Sequence, residues 1–154
     1  MGNLHRQRVG GVTTYMDAVS PSLRARKAIT FTGAANLGAV GAVPLFTVTG
    51  KVIVDRIVAH CTEDLVGAGT LALGVTGSTT LFIPATTGTD LDVGDLWLSN
   101  SPTAIGLALP AGLQNVAIAA NIIGTVAANA ITDGTLEIDV FFTPISADGG
   151  VVAA

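Results

Sequence analysis

Apolar and polar residues alternate along the last strongly patterned stretch of the chain, residues 135–143. One side of this run is apolar: Leu136, Ile138, Val140 and Phe142. The other side carries Glu137, Asp139 and Thr143. This pattern is typical of a strand with one face in a core and the other in water. A second apolar run covers residues 115–126, and the turn residues 132–134 lie before the first, so we predict that the two runs form a closing hairpin.

Short runs of β-branched and small residues, separated by turn residues, occupy most of the chain upstream. They predict strands near residues 28–32, 43–49, 51–62, 70–76, 79–84 and 105–109, and a hairpin joins the fourth to the fifth. In the longest run, Asp55 and Arg56 are expected to face opposite sides of the sheet. No segment has a convincing helical period. The fold class predicted is all-β, an antiparallel β-sandwich or jelly roll of about eight strands.

The two ends of the chain differ from this central domain. Residues 1–27 mix Gly, Arg, Ser and Pro without a sustained period, and we interpret them as an extended basic arm that orders on a partner, with a short helical turn near residues 22–27. A disordered terminus is the alternative. The sandwich domain is assigned to residues 28–146. The tail, residues 147–154, either adds to the sheet edge of a neighbour or frays.

Composition favours a protein whose surface is covered in an assembly. Of the 154 residues, 49% are apolar, 12% are charged and 5% are aromatic. So little charge predicts that copies of the same chain cover part of the surface. The single cysteine excludes an intrachain disulfide. We expect no signal peptide and no membrane span, since the longest apolar stretch, residues 116–131, contains Asn121 and Asn129.

Charge is divided unevenly along the chain. All basic residues lie in residues 1–56, which carry a net charge of +5, whereas residues 57–154 carry −9. A basic arm on an acidic body predicts head-to-tail contact with a second copy, or docking on another acidic surface. The arm residues predicted to bind a partner are Arg6, Arg8, Arg24, Arg26 and Lys27. The predicted receptor for a neighbour's arm is the polar face that carries Glu137 and Asp139.

Candidate chemistry is sparse. His60 and Cys61 are adjacent, so in a strand their side chains point to opposite faces and do not form a nucleophilic pair; Cys61 is expected to be a small buried residue. The acidic loop with Asp90, Asp92 and Asp95 lacks the EF-hand spacing, which favours turn-forming residues over a calcium site. We assign no catalytic, cofactor-binding or metal-binding residue and predict that the chain is not an enzyme. Basic residues in the arm suit phosphate contacts, but the lack of aromatic stacking positions beside them argues against sequence-specific nucleic-acid binding.

Two stretches carry a resemblance to a known class of proteins. They are residues 28–50, AITFTGAANLGAVGAVPLFTVTG, and residues 131–149, ITDGTLEIDVFFTPISADG. Both resemble small structural proteins of tailed bacteriophages that are encoded near head genes. The resemblance implies a virion protein of the capsid decoration (cement) type. Such a protein sits on the major capsid protein at the outside of the head, often as a homotrimer, and is assembled in the host cytoplasm.

Two other functions stay open. The first is a receptor-binding or glycan-binding jelly roll, which requires a concave site lined by aromatic residues; the chain offers one Trp, Trp97, and one Tyr, Tyr15. The second is another phage structural role, in the shell, the tail tube or the head–tail connector.

Overall fold

The computed structural model describes residues 22–154 in full and the backbone of residues 6–9 and 12–15. Strands β1 (Arg6–Val9) and β2 (Val12–Tyr15) pair antiparallel as a two-stranded sheet. The N-terminal segment was predicted to be an extended arm, and these eight residues instead pair with each other. The other residues of the predicted arm before residue 22 lie outside the described residues.

Nine further strands follow in residues 22–154. They are β3 (Leu23–Thr30), β4 (Gly41–Thr49), β5 (Val52–Val66), β6 (Thr70–Val75), β7 (Ser78–Thr87), β8 (Gln114–Ile118), β9 (Ile122–Ala127), β10 (Asp133–Pro144) and β11 (Gly150–Ala153). Two single-turn 3-10 helices, Gly88–Asp90 and Ala111–Leu113, lie in the long connection between β7 and β8. Within the described residues, no helix has the length and apolar composition needed to cross a bilayer.

The strands form two antiparallel sheets with the connectivity of a jelly roll. The four-stranded sheet has the order β3-β10-β5-β8, and the five-stranded sheet has the order β11-β4-β9-β6-β7. Between β3 and β11, the chain changes sheet at every connection except the one that joins β6 to β7. Strand β11 extends the outer edge beyond β4. This order is that of two interlocked Greek keys, and the predicted antiparallel β-sandwich or jelly roll of about eight strands is confirmed.

The core lies between the sheets and follows the period-two pattern of the sequence. The four apolar residues of β10 that were assigned to the core are all buried: Leu136, Ile138, Val140 and Phe142. Trp97 is the largest fully buried side chain, and its Nε1 donates a hydrogen bond of 2.9 Å to Thr86 Oγ1. This bond satisfies the only polar atom of the indole, so the ring is buried without an unpaired donor.

The predicted closing hairpin is wrong. Residues 115–126 contain two strands, β8 and β9, which belong to different sheets. Strand β10 pairs with β3 and β5 and does not pair with β9. Two apolar runs in succession suggest a hairpin, but in a jelly roll consecutive strands face each other across the core.

Three other predictions about elements also differ from the structure. Residues 105–109, predicted as a strand, have no strand partner. Residues 23–27, assigned to the arm with a helical turn, form the first half of β3, so the sandwich begins before residue 28. The tail supplies β11, which pairs with β4 of its own chain, so residues 150–153 belong to the sandwich domain. The predicted β6–β7 hairpin is confirmed.

A β-bulge changes the orientation of the charges at the centre of β5. Val54 and Ile57 are both fully buried, and the register with β10 shifts between Phe141 and Phe142. The extra residue at the bulge leaves Asp55 and Arg56 both outside the core. The expectation that these two charges face opposite sides of the sheet is therefore wrong.

Candidate functional site

The outer face of the four-stranded sheet carries a continuous row of charged and aromatic side chains. Strand β10 lies at its centre, and antiparallel pairing sets Asp139 opposite Arg26 on β3. The same pairing sets Glu137 opposite His60 on β5, and Phe141 opposite both Arg24 and Arg56. Side chains at paired positions on one face are neighbours, so residues distant in sequence form one cluster. We call this cluster the charged face.

Asp139 is the centre of the charged face. Its Oδ1 accepts hydrogen bonds from Arg24 Nε at 2.7 Å and from Arg26 Nε at 3.0 Å, and its Oδ2 accepts one from Arg26 Nη2 at 2.9 Å. The Asp139 side chain is 10% exposed. The hydrogen bond from Arg26, opposed by burial and assisted by Arg24, lowers the pKa of Asp139 from 3.8 to about 2. Asp139 is therefore an ionised and nearly buried carboxylate that holds two guanidinium groups in place.

Glu137 extends the cluster along β10. Its Oε2 lies 3.5 Å from Arg26 Nη1 and 3.4 Å from His60 Nε2. Arg26 thus bridges Glu137 and Asp139, and its pKa is raised, mainly by the hydrogen bond to Asp139. The side chains of Glu137 and His60 are about one third exposed, so this end of the charged face is open to solvent.

Phe141 supports two arginines at the other end of the charged face. The Arg56 Cζ atom lies 4.0 Å from the centre of the Phe141 ring, and Arg24 Cζ lies 5.7 Å from it. Among the residues the structure describes in full, no carboxylate lies within ion-pair distance of Arg56. The neighbouring Asp55 accepts a hydrogen bond from Thr143 Oγ1 instead. Arg56 is an exposed guanidinium, stacked on an aromatic ring, with its donors available to an external acceptor.

The predicted partner-binding residues are thus arranged differently from the prediction. Arg24 and Arg26 lie in β3 and pair with Asp139 of their own chain, and Lys27 Nζ donates to the main-chain oxygen of Ala154. Glu137 and Asp139 are not vacant receptors for a neighbour's arm, because intrachain arginines occupy them. That the seven residues bind a partner stays a prediction.

Arg6 and Arg8, the other two predicted arm residues, lie in β1, whose side chains are outside the described residues. The sequence pattern missed Arg56, Phe141 and His60 as members of the face. Strand register, which brings these three next to the carboxylates of β10, was the signal that could have found them.

The other residues considered for chemistry are Cys61, His60 and the aspartates of the acidic loop. Cys61 is buried, its Sγ donates to the main-chain oxygen of Glu63 at 3.0 Å, and burial raises the pKa of its thiol. His60 lies on the opposite, outer face, so the expectation that the two do not pair is confirmed. In the acidic loop, Asp95 Oδ2 accepts the Asp92 N–H at 3.3 Å, which is a turn contact. Residues 22–154 hold no group of three or more side chains arranged to bind a metal ion.

The outer face of the five-stranded sheet is the opposite of the charged face. None of the residues of its five strands carries an ionisable side chain. Across its centre, Thr125 of β9 lies between Ala42 of β4 and Ala72 of β6. We call this surface the uncharged face. Its exposed residues are apolar residues, threonines and serine.

Trp97, one of the two aromatic residues proposed for a glycan site, is fully buried and does not line a surface site. The side chain of Tyr15 lies outside the described residues. Comparison with protein-family models, with curated proteins and with solved structures gives no match for this chain.

Proposed function

We propose that this chain is a virion structural protein of the capsid decoration type, which binds the outside of a phage head and stabilises it as a homo-oligomer. The observation that carries the proposal is the division of the sandwich into a charged face and an uncharged face. A β-sandwich with one uncharged sheet is suited to packing against other protein surfaces, since no charge has to be desolvated when that sheet is covered. The likeness of fold to viral jelly rolls is an analogy and adds little weight alone.

Adhesion, not catalysis, fits the arrangement of polar groups. The ionisable groups at the centre of the charged face pair with one another, and these pairs join β3 to β10. Arg56 is the arginine of this face that pairs with no carboxylate among the residues described in full. Its planar guanidinium can bind a carboxylate of the capsid through two parallel hydrogen bonds, while Phe141 holds it in position.

The role proposed for the charged face is tested on purified heads that lack the protein. Wild-type protein should bind them and raise the temperature at which they release their contents. Arg56→Gln should weaken binding by about tenfold to a hundredfold, because a charge-assisted hydrogen bond contributes about 1.5–3 kcal/mol. Asp90→Asn, which changes the charge by one unit at an exposed position outside the charged face, is the control and should bind like wild type.

Two results would contradict the proposal. If the wild-type protein neither binds the heads nor protects them from heat, the decoration role is wrong. If Arg56→Gln and Asp90→Asn bind equally, the charged face does not contact the capsid.

A further inference from the structure

Residues 104–109 form an exposed apolar segment in the connection between β7 and β8. Ile105, Leu107 and Leu109 alternate there with small residues, which is the pattern of a strand. The structure leaves Ile105 96% exposed and Leu107 44% exposed. Loops that face water are normally polar, because an apolar side chain contributes to stability only when its surface is removed from water. This segment therefore has the sequence of a buried strand in the position of a surface loop.

Most of the backbone of this segment is also unpaired; its Leu109 carbonyl accepts a hydrogen bond from Gln114 Nε2 at 3.0 Å. Among the described residues, the N–H groups of residue 104 and residues 106–109 donate to no protein acceptor. The Ile105 N–H has only the Thr103 side chain as a partner, at 3.3 Å. Gly106 has a φ of 113°, which an L-residue rarely adopts, and a glycine can move from there to an extended conformation without steric cost. The segment can thus straighten and pair with a sheet edge.

Strand β8 offers such an edge. It forms the end of the four-stranded sheet, and within the described residues it pairs only with β5. Natural proteins commonly protect an open edge with Lys, Pro or an inward-pointing charge. None of these occurs in β8, whose sequence is QNVAI. The edge thus lacks these side-chain devices, and its protection is limited to the short length of β8, five residues, and to Asn115, whose φ is 57°.

A shallow depression adjoins this edge. It has a volume of about 190 Å³, and the residues that line it are Lys51, Ala117, Ile118, Ala119 and Ile145. Its lining is mainly apolar, and its size suits one branched aliphatic side chain. The chain therefore has two features that fit each other. One is the nearly fully exposed side chain of Ile105, and the other is the apolar depression beside β8.

We propose that residues 104–109 add as a strand to β8 of a second copy of this chain, with Ile105 seated in the depression beside Ala117 and Ala119. A second copy is the occupant because the exposed segment and the open-edged strand β8 both belong to one stretch of this chain without ionisable side chains, residues 96–132, so their pairing needs no partner of opposite charge. Lys51 is the one ionisable residue among the five that line the depression. The contact joins two different surfaces, so repetition closes a ring if the rotation permits and leads to a filament if it does not. A three-membered ring would be the homotrimer.

This inference rests on the homo-oligomer part of the proposed function, and it is tested on the purified protein without heads. Its failure is therefore distinguishable from failure to bind a capsid. Sedimentation velocity should give an oligomer for the wild type. Ile105→Asp should shift the protein to the monomer, with a dissociation constant raised about tenfold or more, because burial of an Ile side chain would be replaced by burial of a charge.

Val40→Asp is the matched control. Val40 is 61% exposed and lies in the connection between β3 and β4, away from β8 and from the strands of the uncharged face, so this variant should keep the oligomer. Two results overturn the proposal: a wild-type protein that stays monomeric at its highest soluble concentration, or equal dissociation of the two variants.

A crosslink tests the pairing directly. Ile105→Cys protein is mixed under oxidising conditions with Ala117→Cys or with Ala119→Cys protein, and disulfide-linked dimers that contain residue 105 of one copy should form with at least one of them. Cys61 is buried, so it should not form a disulfide with the introduced cysteines. A disulfide requires Cα atoms about 4.4–6.8 Å apart, so the crosslink shows which residue of β8 lies next to residue 105 of the other copy. The absence of both mixed disulfides, in a protein shown to be oligomeric, would refute this pairing.

Discussion

Asp139 is the residue whose replacement tests the charged face most sharply. Asp139→Asn keeps the size of the side chain but removes the charge that holds Arg24 and Arg26. It also turns one acceptor into a donor that points at a guanidinium. The variant therefore leaves two arginines without their carboxylate on a face where the acid is only 10% exposed.

The size of the effect follows from the pKa. The pKa of Asp139 falls from 3.8 to about 2, and each pKa unit corresponds to about 1.36 kcal/mol, so the interaction contributes at most about 2.4 kcal/mol. Both arginine side chains are nearly half exposed, and solvent screens their interaction with the carboxylate. We expect Asp139→Asn to lower the free energy of unfolding by about 1–2 kcal/mol near neutral pH.

The loss should depend on pH in a defined direction. A carboxyl whose pKa is lowered by folding contributes stability above its unfolded pKa of 3.8, and this contribution is lost as the pH falls towards about 2. The wild type should therefore lose its advantage over Asp139→Asn between these two pH values. Above pH 5 or so, the difference between the two proteins should be constant.

Urea unfolding measures this difference at fixed protein concentration. Trp97 is the single tryptophan and is fully buried, so its fluorescence reports unfolding. Asp55→Asn is the matched control, since Asp55 accepts only a hydroxyl hydrogen bond, from Thr143, and should cost less. Equal stability of wild type and Asp139→Asn at neutral pH, or a difference that persists unchanged at about pH 2, would refute this reasoning.

Three further predictions concern the core and the loops. Trp97→Phe should lower the free energy of unfolding by about 2–3 kcal/mol in urea titrations followed by circular dichroism, since it leaves a void and removes the hydrogen bond to Thr86; an unchanged midpoint would contradict this. Gly38→Ala should lower the melting temperature more than Gly77→Ala, because both have positive φ but only a Cβ at Gly38 would overlap a main-chain carbonyl; equal shifts would count against it. The Cys61 thiol should react with a thiol reagent only after unfolding, and rapid labelling of the folded protein would show that Cys61 is accessible.

The sequence predicted the strands whose two faces differ. Leu136 and Ile138 alternate with Glu137 and Asp139, and this local period was enough to identify β10 and its core face. The β6–β7 hairpin was predictable for the same reason, because its turn is short and local. Both depend on neighbouring residues only.

The strand order was not predictable, because pairing in a jelly roll is non-local. Strand β10 pairs with β3, and Arg24 lies 115 residues from Asp139 in sequence. A two-residue period says which side chains are buried but not which strand lies alongside. The carboxylates of the charged face were therefore found, while their partners on β3 were assigned to the arm.

The bulge in β5 and the unpaired segment explain the other differences. One extra residue places Asp55 and Arg56 on the same side of the sheet, and an alternation rule has no means to detect it. Residues 104–109 have the pattern of a strand without a strand partner. If the proposed contact between copies is correct, the pattern there reports the assembly and not the single chain.

A cryo-EM map of phage heads assembled with this protein tests the central proposal most directly. We predict jelly rolls on the outer surface of the head, with Arg56 facing an acidic side chain of the capsid and with residues 104–109 of each copy along β8 of the next. A map without the protein on the head surface would contradict the decoration role. A map with the charged face turned to solvent would contradict the mode of attachment.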